Sequence, residues 1–184
     1  ENSLPHFLSA QEHLAKGDVA GAVEEINAAQ NKSYDDFTKE MAFAQEEAYL
    51  CAGRGVVEAK ALGSSEVLLP QLAPFKKLGV DLAQKAVEAG NAGDTASRQA
   101  LLSATWELGH QLKDKGRHGT LISGLVGLAI ENIALNKWPE GVEAPFLNRS
   151  VEEQREKNGE TRADIRKVAP IVESWMPTAS ENEL

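Results

Sequence analysis

Cysteine is nearly missing from this chain: Cys51 stands alone among 184 residues, so no disulfide can form within it. A single thiol fits the cytosol and many exported proteins alike. No stretch of about 18 apolar residues occurs, so no segment is long enough to span a membrane as a helix. The most apolar stretch, Gly119 to Trp138, is too short and is interrupted by Glu131. Aromatic residues reach only 5%, and β-branched residues are scattered, so strand-like alternation is almost absent. Basic residues are outnumbered 19 to 28, for a net charge of −9, and no basic stripe offsets that average. Nucleic acids and anionic membranes reward clustered Lys and Arg, so neither is an expected partner.

What the chain has instead is alanine, leucine and helical punctuation. Apolar residues make up 42%, enough to bury a core, and the length suits one domain. The composition predicts an all-α fold, a compact bundle or short array of six to eight antiparallel helices. We expect residues 1–138 to form a helical core domain. Residues 139–184 supply a loop and C-terminal helices packed on that domain or extending from it. The chain opens at Glu1 without Met, which favours a processed, exported or periplasmic protein.

Spacing predicts the individual helices. Phe7, Ala10 and Leu14 share a face of a helix over Pro5–Lys16, which Gly17 ends; Asp18 caps a second over Val19–Ala29. Tyr34, Phe37, Met41, Ala44, Ala48, Cys51 and Gly55 recur in steps of three and four. They predict one long helix with a buried seam, weakened or bent late by Gly53 and Gly55 and closed by Gly63-Ser-Ser65. The next helix is expected from about Pro74 to the Gly90–Gly93 turn, and another from Asp94 or Thr95 to Lys115, with Leu101, Thr105, Leu108 and Leu112 inward. Ser150-Val-Glu-Glu153 reads as a capping box for a short polar helix. A separate one should open at Thr161 with Ile165, Val168, Val172 and Trp175 on a stripe, and Pro170 should break or kink it.

The helix over 119–137 should lie in the middle. Gly119, Ser123 and Gly127 fall four apart, so on a helix they form a flat strip where another backbone can approach.

Residues 6–34 resemble a single degenerate tetratricopeptide (TPR)-like hairpin. The Gly17-Asp-Val-Ala-Gly-Ala-Val23 run is similar to that family's helix–turn–helix junction, and Ala10, Ala22, Ile26 and Ala29 fall at its packing positions. His6 and Tyr34 occupy the family's tryptophan-like and terminal proline positions, and His13 a position where it prefers an aromatic. No second copy is found at the family's period. The resemblance implies an antiparallel helical hairpin serving as an interaction surface.

Residues capable of chemistry do not assemble into a recognised constellation, and no catalytic, cofactor-binding or metal-binding residue is assigned. Glu107 and His110 have the Glu-x-x-His spacing of carboxylate-bridged metal bundles, but that chemistry needs two such pairs, and angular counting turns these toward solvent. His6 and His13 lie two turns apart, about 10 Å, too far to share one ion. His118 sits in a turn between helices. Cys51, on the predicted seam, reads as an inert core thiol. No nucleophile elbow, phosphate loop or zinc spacing is present, and Asn148-Arg-Ser150 is formally a glycosylation acceptor.

The expectation is a non-catalytic helical protein without cofactor, a module for binding another protein or for self-association. The alternative is a bundle holding a small molecule or metal between its helices, since four histidines, three tryptophans and a glycine-lined helix could border a cavity.

Overall fold

The computed structural model describes residues 1–65, 69–115 and 121–175. Among them, eight α-helices form: α1 (Leu4–Ala15), α2 (Val19–Ala29), α3 (Thr38–Cys51), α4 (Val56–Ser65), α5 (Leu72–Asn91), α6 (Thr95–His110), α7 (Leu121–Lys137) and α8 (Val151–Trp175). A π-helical turn, Gln111–Lys115, extends α6. No strand forms among the described residues; a lone parallel bridge joins Asn2 to Ser33 and ties the N-terminus beside the end of α2. The protein is the all-α helical bundle that its composition predicts.

The chain divides into two units: Glu1–Asp36 with Pro70–Asn158, and Phe37–Leu69 with Gly159–Leu184.

In the first unit, α1 pairs with α2, α5 with α6, and α7 packs on both α5 and α6. The core follows the predicted faces. Phe7 and Ala10 of α1 are fully buried, as are Ala22, Ile26 and Ala29 of α2. Phe7 meets Phe75 edge-on at 5.8 Å and stacks on Tyr34 at 6.2 Å, an aromatic knot worth more than its buried area alone. Leu101, Thr105, Leu108 and Leu112 all turn inward, and the Thr105 hydroxyl satisfies itself by donating to the Leu101 carbonyl. α5 begins at Leu72 rather than at Pro74. Pro74 fits there because first-turn N–H groups have no intrahelical acceptor to lose.

One local device appears twice. At Gly17-Asp18 and again at Gly93-Asp94, the glycine adopts φ +81°, which only glycine takes without strain. The following aspartate caps the next helix, accepting from the N–H of Gly21 or of Ser97, each at 2.9 Å. The sequence reading placed a turn and a helix start at both junctions, without noting that the two are built alike.

The strip on α7 is a real backbone contact. A Cβ placed on Gly127 would lie 2.5 Å from the Gly109 carbonyl oxygen and 2.7 Å from the Lys113 nitrogen. Reciprocally, a Cβ on Gly109 would meet the Glu131 nitrogen at 2.6 Å. Ser123 is buried beside this contact, and Ile130 fills the space left by the missing side chain of Gly79 on α5. α7 is therefore central, though its first turn is not enclosed: Ile122 is exposed. Gly119 and His118 lie outside the described residues.

In the second unit, the predicted single long helix is two. The chain breaks at Ala52–Gly55, with Gly53 at φ +85°, so the glycine pair ends the helix instead of bending it. α3 and α4 pack together closely, since a Cβ on Gly63 would fall 2.8 Å from the Glu46 nitrogen and 2.9 Å from the Ala42 oxygen. That contact uses the face of α3 bearing Ala42 and Glu46. The predicted seam lies on the other side: Phe37, Met41, Ala44, Ala48 and Cys51 are all exposed. Cys51 is thus a surface thiol and not a core residue.

The C-terminal helices are also joined. The capping box forms, with the Ser150 N–H donating to Glu153 at 2.9 Å and the Glu153 N–H donating to the Ser150 hydroxyl at 3.1 Å. The helix it starts does not stop before Thr161 but continues through Pro170 to Trp175. A proline inside a helix removes one hydrogen bond, and here the ladder resumes on the far side. The side chains of the predicted stripe, Ile165, Val168, Val172 and Trp175, and residues 176–184 lie outside the described set.

Candidate functional site

The backbone contact between Gly109 and Gly127 sets the register of α6 against α7, and it carries Glu131 against the end of α6. Glu131 is the sole carboxylate in the apolar run Leu121–Lys137 and has no exposed surface. Its Oε1 meets His110 Nδ1 at 3.1 Å, and its Oε2 accepts from Lys113 Nζ at 2.8 Å and from Asn158 Nδ2 at 3.1 Å. A carboxylate taken out of water persists only when cations and donors replace its hydration, as these three do.

The network reaches further. Asn158 also donates to Asn132 Oδ1 at 3.1 Å and accepts from Gln154 Nε2 at 2.9 Å. Gln111, fully buried, donates to the Ala29 carbonyl at 2.9 Å and to Glu107 Oε1 at 2.7 Å. The Glu131 cluster thereby links the end of α6, α7 and the first turns of α8, and Gln111 separately ties α6 to the end of α2.

The π turn is part of this arrangement. A widened turn takes in an extra residue without ending the helix, so side chains after it leave the phase of α6. Lys113 lies within it and reaches Glu131, which a count from Leu101 and Leu108 does not foresee.

Glu107 and His110 accordingly do not project into solvent as the angular count predicts. Both are half-buried, because α6 is covered by α5, α7 and α2 on several sides and Leu102, Trp106 and Gly109 are buried as well as the predicted stripe. They do not act as a ligand pair either: Glu107 turns to Gln111 and His110 to Glu131. Among the described residues no group of three His, Cys, Asp or Glu is placed to hold a metal ion. His6 binds Glu25 through Nδ1 at 2.7 Å and Lys32 through Nε2 at 2.7 Å, whereas His13 binds Asp18 at 2.7 Å. The hydrogen bond from His6 holds the Glu25 carboxyl below its ordinary range.

His110 and Lys113 are the cluster's outlet. Glu131 is sealed, while 30% of the His110 side chain and 19% of the Lys113 side chain remain accessible. Both face a cleft of about 340 Å³ between α6, the loop after α7 and the start of α8. His110 stacks on Trp106 at 4.3 Å, Trp106 on Phe146 at 4.8 Å, and Phe146 meets Trp138 edge-on at 5.0 Å. The loop is held at its root by Trp138, whose indole N–H donates to the Val142 carbonyl at 2.9 Å. A larger hollow of about 910 Å³ lies under the same loop, and its lining includes the carboxylates Glu143 and Glu152 beside Arg149.

Sequence reading used Glu131 only as an argument against a membrane span. The signal was available: a charged residue inside an otherwise apolar helix is rarely buried without a partner. Fold and site define an all-α bundle with one buried ionic cluster. Comparison with known proteins finds no match to a family model, a curated protein or a solved structure.

Proposed function

We propose that the protein is a non-catalytic helical module whose role is assembly, and that α3 joins a second copy of the chain. The observation that carries this reading is the exposed apolar seam of α3. Six of the ten large apolar side chains exposed among the described residues, Phe37, Met41, Phe43, Leu50, Val56 and Val57, belong to Phe37–Leu69. Of these, Phe37 and Met41 lie on the seam, and exposed apolar residues concentrated in one segment mark interaction sites on soluble proteins.

The seam is suited to another helix. Phe37, Met41, Ala44, Ala48 and Cys51 follow a strict four–three alternation, and Glu40 and Glu47 flank it on one side. A narrow stripe with charged flanks is the pattern of helix-on-helix seams, whereas the wider face of α5 is that of a helix laid on a core. An antiparallel pairing of two such helices sets each Met41 against a Cys51 and each Ala44 against an Ala48. Met41 then faces the smaller Cys51 and alanine faces alanine, so the two backbones can come close. The two like-built Gly-Asp junctions support reading α1–α2 as a hairpin of the tetratricopeptide kind, a scaffold used for protein contacts.

Sedimentation equilibrium over a range of concentrations tests the proposal. We expect a reversible dimer, and a monomer when Met41→Glu places a charge on the seam. A wild-type chain that stays monomeric, or a dimer indifferent to Met41→Glu, overturns it.

A further inference from the structure

We infer that His6 and Lys32 form a pH-sensitive clasp, which holds residues 1–3 against the end of α2 at neutral pH and releases them in acid. The first observation is what stands at the two ring nitrogens of His6. Nδ1 lies 2.7 Å from Glu25 Oε2, and Nε2 lies 2.7 Å from Lys32 Nζ. A carboxylate only accepts a hydrogen bond, and an ammonium only donates one. Nδ1 therefore carries the ring's hydrogen, and Nε2 keeps its lone pair for Lys32. Only the neutral ring in that one tautomer meets both demands. A proton added at Nε2 takes away the acceptor of Lys32 and sets two cations face to face. Glu25 stays ionised and keeps its bond from Nδ1, since its carboxyl already lies below its ordinary range. Acid thus breaks one side of the ring's contacts and spares the other.

The second observation is where Lys32 stands. Its neighbour Ser33 exchanges main-chain bonds with residues 1–3: the Ser33 N–H donates to the Glu1 carbonyl at 3.1 Å, and the Ser3 N–H to the Ser33 carbonyl at 2.8 Å. Lys32 Nζ also pairs with the Glu1 carboxylate at 2.9 Å, so one ammonium joins the ring to the segment. The Glu1 side chain is 81% exposed and contributes little by itself, which leaves the ring to hold Lys32 in place. The third observation is Ser3. It is fully buried, yet its hydroxyl has no hydrogen-bond partner among the described residues. That cost disappears when water reaches the hydroxyl, so the closed segment depends on its ties. Other charges near the ring do not replace Lys32. His13, one face along α1, binds Asp18, and α5 meets α1 through Phe75 on Phe7 while turning Lys77 to its own Asp81 and leaving Lys76 exposed.

This inference is independent of self-association through α3, because His6, Glu25, Lys32 and residues 1–3 all belong to the first unit. Two measurements on the full chain test it. Nitrogen NMR of the imidazoles, with His6 assigned by its loss in His6→Gln, reads the tautomer at about pH 8, where an ordinary imidazole is neutral. We expect the hydrogen on Nδ1, the reverse of the preference of free histidine. Hydrogen exchange then compares about pH 8 with about pH 5, on either side of the ordinary imidazole range. The Ser3 and Ser33 amides, each referred to its intrinsic rate at that pH, should lose protection about tenfold in acid, as one charge-assisted hydrogen bond is given up. In Lys32→Met, protection should already be low at the higher pH and should change little on acidification. A His6 ring with its hydrogen on Nε2 at the higher pH overturns the inference. So does protection that survives acid in the parent chain, or a Lys32→Met chain that loses as much protection as the parent.

Discussion

The two units of this chain use the same apolar spacing to opposite ends. On α5, Leu72, Phe75, Gly79, Leu82 and Ala86 recur in steps of three and four, and every one is buried against other helices. On α3, Met41, Ala44, Ala48 and Cys51 recur in the same steps, and every one is exposed. Between Phe37 and Leu69 only Thr38, Ala59 and Gly63 are buried among the described residues, whereas the first unit encloses an aromatic knot, a glycine contact and an ionic cluster. Periodicity thus announces that a helix has an apolar side without saying what covers it. Width separates the two cases: Leu78 and Ala83 broaden the α5 face, and Glu40 and Glu47 confine that of α3.

The contrast breaks most sharply at Glu131. Glu131→Ala takes the buried acceptor away from the partly buried Lys113 and from His110 and Asn158, and should cost about 3–5 kcal/mol in urea unfolding of the first unit. Changing both, Glu131→Leu with Lys113→Met, should cost less than the two single changes added together. Next comes the glycine contact. Gly127→Leu pushes a side chain into backbone on two sides and should cost about 1–3 kcal/mol, whereas Gly124→Ala, with open space at its Cβ, should be neutral or stabilising. A Gly127→Leu protein that melts like the parent would remove α7 from the centre.

Hydrogen exchange compares the units directly. Amides of α7 from Leu128 to Leu135 should exchange far more slowly than those of α3, since buried contacts govern opening. Similar rates would mean that the exposed seam is covered in solution.

The smallest effect is acid sensitivity at the helix starts. The Gly21 N–H holds the Asp18 carboxyl below its ordinary range, and the Ser97 hydroxyl and N–H do the same for Asp94. Depressed values in the folded state mean stability that is present above the ordinary carboxylate pKa and lost as pH falls through the lowered ones. Asp18→Asn with Asp94→Asn should therefore flatten the acid limb of a pH–melting curve and change little at neutral pH, because Asn also caps. An unchanged acid limb would show that other carboxylates control it.

Much of the helical plan was legible because its signals are local: Gly17-Asp18, Ser150-Val-Glu-Glu153 and the inward stripe of Leu101, Thr105, Leu108 and Leu112 all act within a few residues. The strip at Gly127 was legible for the same reason, since small residues four apart can mean close approach. Its counterpart Gly109 was not, because nothing near it in sequence says which helix arrives. Two breaks came out differently. Gly53 and Gly55 ended a helix expected to weaken or bend there, while the helix expected to break or kink at Pro170 runs through it. The site was the least legible part. His110, Lys113, Glu131 and Asn158 come together only through the α6–α7 register and the π turn, and neither is written in the spacing of any one helix.

The Gly109–Gly127 contact has a mechanical consequence. With main chain against main chain, no flexible side chain is left between α6 and α7 to absorb sliding, so the pair behaves as one stiff beam. Any adjustment in the shape of the neighbouring cleft then falls to the loop carrying Phe146 and Leu147, while the beam that carries His110 and Glu131 stays still.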